Sequence, residues 1–115
     1  MDFSISNFFD RDKKTKTADF QDLEHIDGVS VSSVNCGLYE KKRDDLVLFY
    51  FRDGASHAST FTQSKIVSEN IKWNKKIKSK RLSALLVNTR NANALTGLTG
   101  YNAIKEISNR LAKNL

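Results

Sequence analysis

Three asparagines within six residues, Asn88, Asn91 and Asn93, are followed closely by Thr96 and Gly97 in the stretch VNTRNANALTG, Val87 to Gly97. A carboxamide both donates and accepts hydrogen bonds but neither titrates nor attacks, so this cluster can position groups without itself carrying out a reaction. Asparagine also satisfies turn backbone and tolerates left-handed conformations. A tight connection explains one or two such residues; three with the spacing NxxNxN suggest a network that orients its neighbours.

The other residues capable of chemistry are dispersed. Asp44 and Asp45 are adjacent in a charged stretch, KKRDD, that reads as a turn, where carboxylates bond to nearby backbone; a catalytic pair is the competing reading. His25 and His57 have no histidine or cysteine at metal-ligand spacing, so no metal site is expected. Cys36 is the single cysteine, which excludes an internal disulfide and suits a reducing compartment. Gly97 and Gly100 are not followed by the Lys-Ser/Thr of a phosphate-binding loop.

The net charge of +6 is localised. Between Lys65 and Arg81 lie seven basic residues and one acidic one, and the remaining chain holds 12 of each sign. Lys72, Trp73, Lys75, Lys76, Lys78 and Lys80 combine charge with a ring as a nucleic-acid contact requires, but no recognisable RNA- or DNA-binding signature accompanies them. A solvated face is the preferred reading, and no nucleic-acid partner is expected.

These residues need elements to position them. GVSVSSVNCGLY and LVLFYF, joined by the charged turn, read as a β-hairpin, the second strand apolar enough for burial on both faces. The Asp53-Gly54 pair is expected to turn the chain into a further strand, HASTFT. SKIVSENIKWNKKIKSKR fits a short helix or a strand ending in a basic turn, and LSALLV is another strand, running into the asparagines. After Gly100, Tyr101, Ile104, Ile107, Ser108, Leu111 and Leu115 follow the spacing of a one-faced helix that is still running at the last residue, as in a truncated chain. The fold class expected is α/β of the α+β type, a mainly antiparallel sheet with one C-terminal amphipathic helix packed on it. Residues 1–23 read as a flexible arm and 24–115 as the folded unit.

The 115 residues suit one domain, and 39% hydrophobic with 28% charged composition excludes a disordered chain. No apolar run approaches the roughly 20 residues of a membrane span, and the N-terminus lacks the pattern of a secretory signal. A cytoplasmic protein with no membrane partner is expected.

The asparagine stretch, with its upstream companions, resembles a known family. ALLVNTRNANALTG is similar to the VNSGNANA.TG fingerprint of the bifunctional glutamate N-acetyltransferase and ornithine acetyltransferase family of arginine biosynthesis. GVSVSSVNCGLY, RDDLVLFYF and ASTFTQSKIVSENIKW resemble its preceding segments in the same order, so the likeness covers about Phe20 to Leu115. It implies part of a layered α-β-β-α enzyme that transfers an acetyl group from N-acetylornithine, or for some members acetyl-CoA, to glutamate. It also implies a ping-pong route in which self-cleavage exposes a threonine nucleophile. The family's oxyanion and nucleophile motifs lie beyond this stretch, so no catalytic residue is assigned. Asn88, Asn91, Asn93, Thr96 and Gly97 are assigned only as support of the site. No cofactor is implied. The implied partners are the remaining α part and the β-subunit, amino-acid substrates, and further copies in an oligomer.

Two positions depart from the fingerprint: Thr89 stands for serine and Arg90 for glycine. If the glycine has positive φ, arginine there costs on the order of 1 kcal/mol or more. The competing readings are a non-catalytic basic domain binding RNA or an acidic partner through residues 72–81, and a degenerate copy.

Overall fold

The structure, a computed structural model, describes residues 24–115; the expected N-terminal arm, 1–23, lies outside them. Strands β1 (Val29–Val34), β2 (Leu46–Ser56) and β3 (Arg81–Asn88) form one antiparallel sheet in the order β1-β2-β3. Helix α1 (Glu69–Asn74) lies between β2 and β3 in sequence, and α2 (Gly97–Asn114) follows β3. This is the expected α+β class, with α1 resolving the ambiguous basic segment as a short helix and turn.

The most apolar strand is the central one, as its composition demands. The register places Val31, Phe49 and Leu85 side by side, so strand alternation puts them on one face with Val47 and Val87. Leu46, Leu48, Tyr50, Ala84 and Leu86 share the other. Neither face is closed. β2 from Leu46 to Phe51 is only half-buried, Val31 remains 59% exposed, and no apolar side chain among the described residues is fully buried. The expected double-sided burial of β2 is therefore incomplete among the described residues.

Two expectations about connections are corrected. Asp53-Gly54 does not turn the chain. Both residues stay in β2, where the pairing jumps from Tyr50↔Ala84 to Ala55↔Leu82 and Gly54 takes φ 72°. The conformational freedom read as a turn serves a bulge instead. HASTFT accordingly forms no strand and becomes part of an irregular connection tied down by the His57 N–H on the Lys80 carbonyl.

The C-terminal helix begins at Gly97, a turn earlier than its apolar spacing indicated. Its packing also differs from expectation, since α2 contacts α1 and not the strands. Trp73 of α1 meets Tyr101 edge-on with ring centroids 5.5 Å apart, and Lys76 adds its ammonium 4.5 Å from the Tyr101 centroid and a 3.0 Å bond to the phenol oxygen. Trp73 is thus half-buried against a neighbouring ring rather than presented for stacking. No described helix is long and apolar enough to cross a membrane.

Candidate functional site

All five residues singled out in sequence lie between Asn88, the last residue of β3, and Gly97, the first of α2, and the amide side chains bond mainly to backbone of this stretch and of the first turn of α2. The Asn88 amide donates to the Asn91 carbonyl at 2.8 Å, and the Asn91 side-chain oxygen accepts the Asn93 N–H at 3.0 Å. Asn93 is the hub. Its amide nitrogen donates to the Gly100 carbonyl at 3.2 Å, and its side-chain oxygen accepts the Thr96 hydroxyl at 2.6 Å. Thr96 precedes α2 but does not cap it, because its hydroxyl is engaged by Asn93.

The backbone explains why amides are needed. Arg90, Asn93, Leu95 and Gly97 have φ of 71°, 49°, 59° and 59°, a run of left-handed residues that only glycine adopts without strain. Asn93 is the tolerant non-glycine type, and its side-chain bonds hold its own turn in place. Gly100 completes the unit. It is buried, and a Cβ added there would overlap Thr96 Oγ1 and Asn93 Oδ1 and lie 2.7 Å from Thr96 Cβ. The Asn93 hub is therefore built against bare helix backbone.

Two carboxylates frame the loop. Glu69, at the start of α1, is 4% exposed, donates its N–H to the Asn93 carbonyl at 3.0 Å, and pairs with Lys72 at 2.6 Å. Asp45, 1% exposed, accepts the N–H groups of Cys36 and Leu38 at 2.8 and 2.7 Å and the Cys36 thiol at 2.8 Å. Its backbone carbonyl accepts the Thr89 N–H at 2.9 Å. The bonds from the Cys36 thiol and from backbone N–H groups hold the Asp45 carboxyl below the usual range, against the opposing effect of burial. The same bond to Asp45, with desolvation and the carboxylate charge, pushes the Cys36 thiol up.

Asp45 is thus the backbone-binding carboxylate of the turn, and Asp44 bonds separately to the Ser33 hydroxyl. The two do not form a catalytic pair. His57 bonds the Ser79 carbonyl at 2.9 Å, and no group of three metal-ligating side chains occurs among the described residues. Sequence reasoning missed Glu69, Gly100 and Tyr39, whose ring receives the guanidinium of Arg90 at 5.3 Å. Glu69 could have been noticed as the only acidic residue in a basic segment; the other two carry no local signal.

The arrangement can hold a loop in a strained shape, but its amides are largely occupied within it. The Thr89 hydroxyl is the buried side-chain oxygen left without a partner among the described residues.

Comparison with known proteins identifies the same region. A family model described as the ArgJ family matches residues 30–115. The arginine biosynthesis bifunctional protein ArgJ of Zymomonas mobilis is 37% identical over 95 residues, covering 82% of this chain and 23% of that protein. Its namesake from Bradyrhizobium diazoefficiens is 39% identical over 80 residues, 69% of this chain and 19% of the relative. The crystal structure of the Bacillus halodurans argJ protein superposes with a TM-score of 0.59 at 29% identity, over 66% of this chain and 40% of that one. The chain spans only about a fifth to a quarter of the length of such curated relatives. With the family pattern running through the sheet, the amide loop and α2, the chain belongs to the ArgJ family.

Proposed function

We propose that this chain is the N-terminal part of an acetyltransferase of arginine biosynthesis, moving an acetyl group from N-acetylornithine to glutamate. The observation that carries the reading is the family match over residues 30–115, which includes the complete amide loop. In this reading the nucleophile is a threonine supplied by the rest of the enzyme. Its own amino group, freed by self-cleavage, accepts the hydroxyl proton as the threonine attacks the acetyl carbonyl. Backbone or hydroxyl donors stabilise the resulting oxyanion. Ornithine leaves, and glutamate takes the acetyl group in the second half of the cycle. Acetyl-CoA is an alternative donor in the first half.

The contribution of this chain is a frame. Asn88, Asn91, Asn93, Thr96 and Gly97 hold the β3–α2 connection rigid without presenting a titrating group, so they support a site whose reacting atoms come from elsewhere. The half-covered faces of the sheet fit a chain completed by the remaining α part and the β-subunit in a cytoplasmic oligomer. The alternative, a basic domain binding nucleic acid through residues 72–81, loses its stacking platform because Trp73 is engaged by Tyr101.

Co-expression with a complementing C-terminal part, assayed for acetyl transfer from N-acetylornithine to glutamate, tests the proposal. Transfer is expected; a well-folded complex without it refutes the assignment.

A further inference from the structure

Arg90 stands where the fingerprint has glycine, and its φ of 71° is the left-handed conformation that arginine does not adopt freely. Contacts beyond the residue must hold it there. Its guanidinium reaches back 52 residues, and Nη1 donates to the Leu38 carbonyl at 2.7 Å while the group lies 5.3 Å from the Tyr39 ring centroid. Arg43 lies 4.4 Å from the same ring. The Leu38 N–H is bound by the Asp45 carboxylate, and the Asp45 carbonyl accepts the Thr89 N–H. Asp45, Leu38, Arg90 and Thr89 thereby close a ring of contacts between the β1–β2 and β3–α2 connections.

We propose that Arg90 is a positioning residue whose clasp on Leu38 and Tyr39 sets the left-handed turn of the amide loop and couples it to the β1–β2 connection. Glycine at this position makes the turn by local freedom alone. Arginine makes it by a tertiary contact, so the shape of the loop depends on a residue half the chain away. The clasp stands on geometry; only its bearing on acetyl transfer rests on the function proposed above.

Backbone hydrogen exchange in the 115-residue chain tests it by comparing the amide of Thr89, inside the ring, with that of Leu48 on the central strand. Arg90→Met is expected to speed exchange at Thr89 by about tenfold relative to Leu48, the size of losing one charge-assisted hydrogen bond. Arg90→Lys, which keeps a cation and a donor, recovers most of the protection. Tyr39→Leu acts like Arg90→Met, and the double variant is no worse than either. Arg90→Gly leaves Thr89 protected but insensitive to Tyr39→Leu. Thr89 unprotected in the parent chain, equal acceleration at Leu48, or additive effects of the two substitutions would each overturn the clasp. Loss of acetyl transfer would leave these readings unchanged, so the two proposals fail separately.

Discussion

Replacing Gly100 with alanine should destabilise a helix that, by intrinsic propensity, the change ought to favour. Gly100 lies in the first turns of α2, and glycine within a helix is worse than alanine by roughly 0.5–1 kcal/mol. Against that gain stands the added methyl, which would overlap Thr96 Oγ1 and Asn93 Oδ1 and approach Thr96 Cβ to 2.7 Å. Those atoms cannot retreat freely, because the Thr96 hydroxyl and the Asn93 oxygen are bonded to each other at 2.6 Å and Asn93 is also tied to the Gly100 carbonyl. Overpacking of this kind costs about 1–3 kcal/mol, and separating the pair forfeits about 1 kcal/mol more. The net expectation is a loss of roughly 1–3 kcal/mol, opposite in sign to the propensity effect. Urea unfolding followed by Trp73 fluorescence reads the contact between α1 and α2. Hydrogen exchange at the backbone amides of α2 reads the local opening, which should quicken by roughly 10–100-fold. A variant more stable than the parent would show that the methyl finds room, and the close packing of the Asn93 hub against the helix would be refuted.

Order in the β1–β2 connection should depend on the Asp45 charge. Its carboxyl is depressed in the folded state, so its stabilising contribution is fully present above the unfolded value of about 3.9 and is lost as pH falls through the lower folded value; exchange at the Leu38 amide against pH measures this, and a flat profile counts against it. Cys36 is exposed yet should alkylate slowly near neutral pH because Asp45 raises its thiol, and Asp45→Asn should speed iodoacetamide labelling severalfold by releasing the thiolate. No acceleration would mean that the Cys36–Asp45 bond is not made. The chain on its own should bind apolar dyes and self-associate, because Val31, Leu85 and Val87 on one sheet face are 59%, 46% and 41% exposed; a stable monomer with no dye binding would refute this.

The sequence showed most plainly what is periodic or local. The spacing from Tyr101 to Leu111 announced α2, and the apolar run of Leu46 to Phe51 announced the central strand. The asparagines were legible as a network because their types and spacing have few other uses, and the glycine that Arg90 replaces raised positive φ there only as a condition, which its φ of 71° meets. Asp53-Gly54 misled because positive φ at glycine serves a turn or a bulge equally well, and long-range pairing with Arg81 and Leu82 decides between them. The start of α2 was misplaced because the apolar spacing that marks the helix begins only at Tyr101. Gly100 lies within the helix, and it is glycine because Asn93 and Thr96 leave space for nothing larger. Tyr39 as the seat of Arg90 could not be read at all, since no local pattern links positions so far apart.

The described side chains most deeply removed from solvent belong to Asp45 and Glu69, while the hydrocarbon of the sheet stays partly wet. That distribution has a calorimetric consequence. Exposing apolar surface raises the heat capacity of unfolding and exposing polar surface lowers it, so this chain should unfold with a small heat-capacity change for its length. Its melting enthalpy should then vary less with temperature than is usual for a chain of this length, which calorimetry over a range of melting temperatures would show.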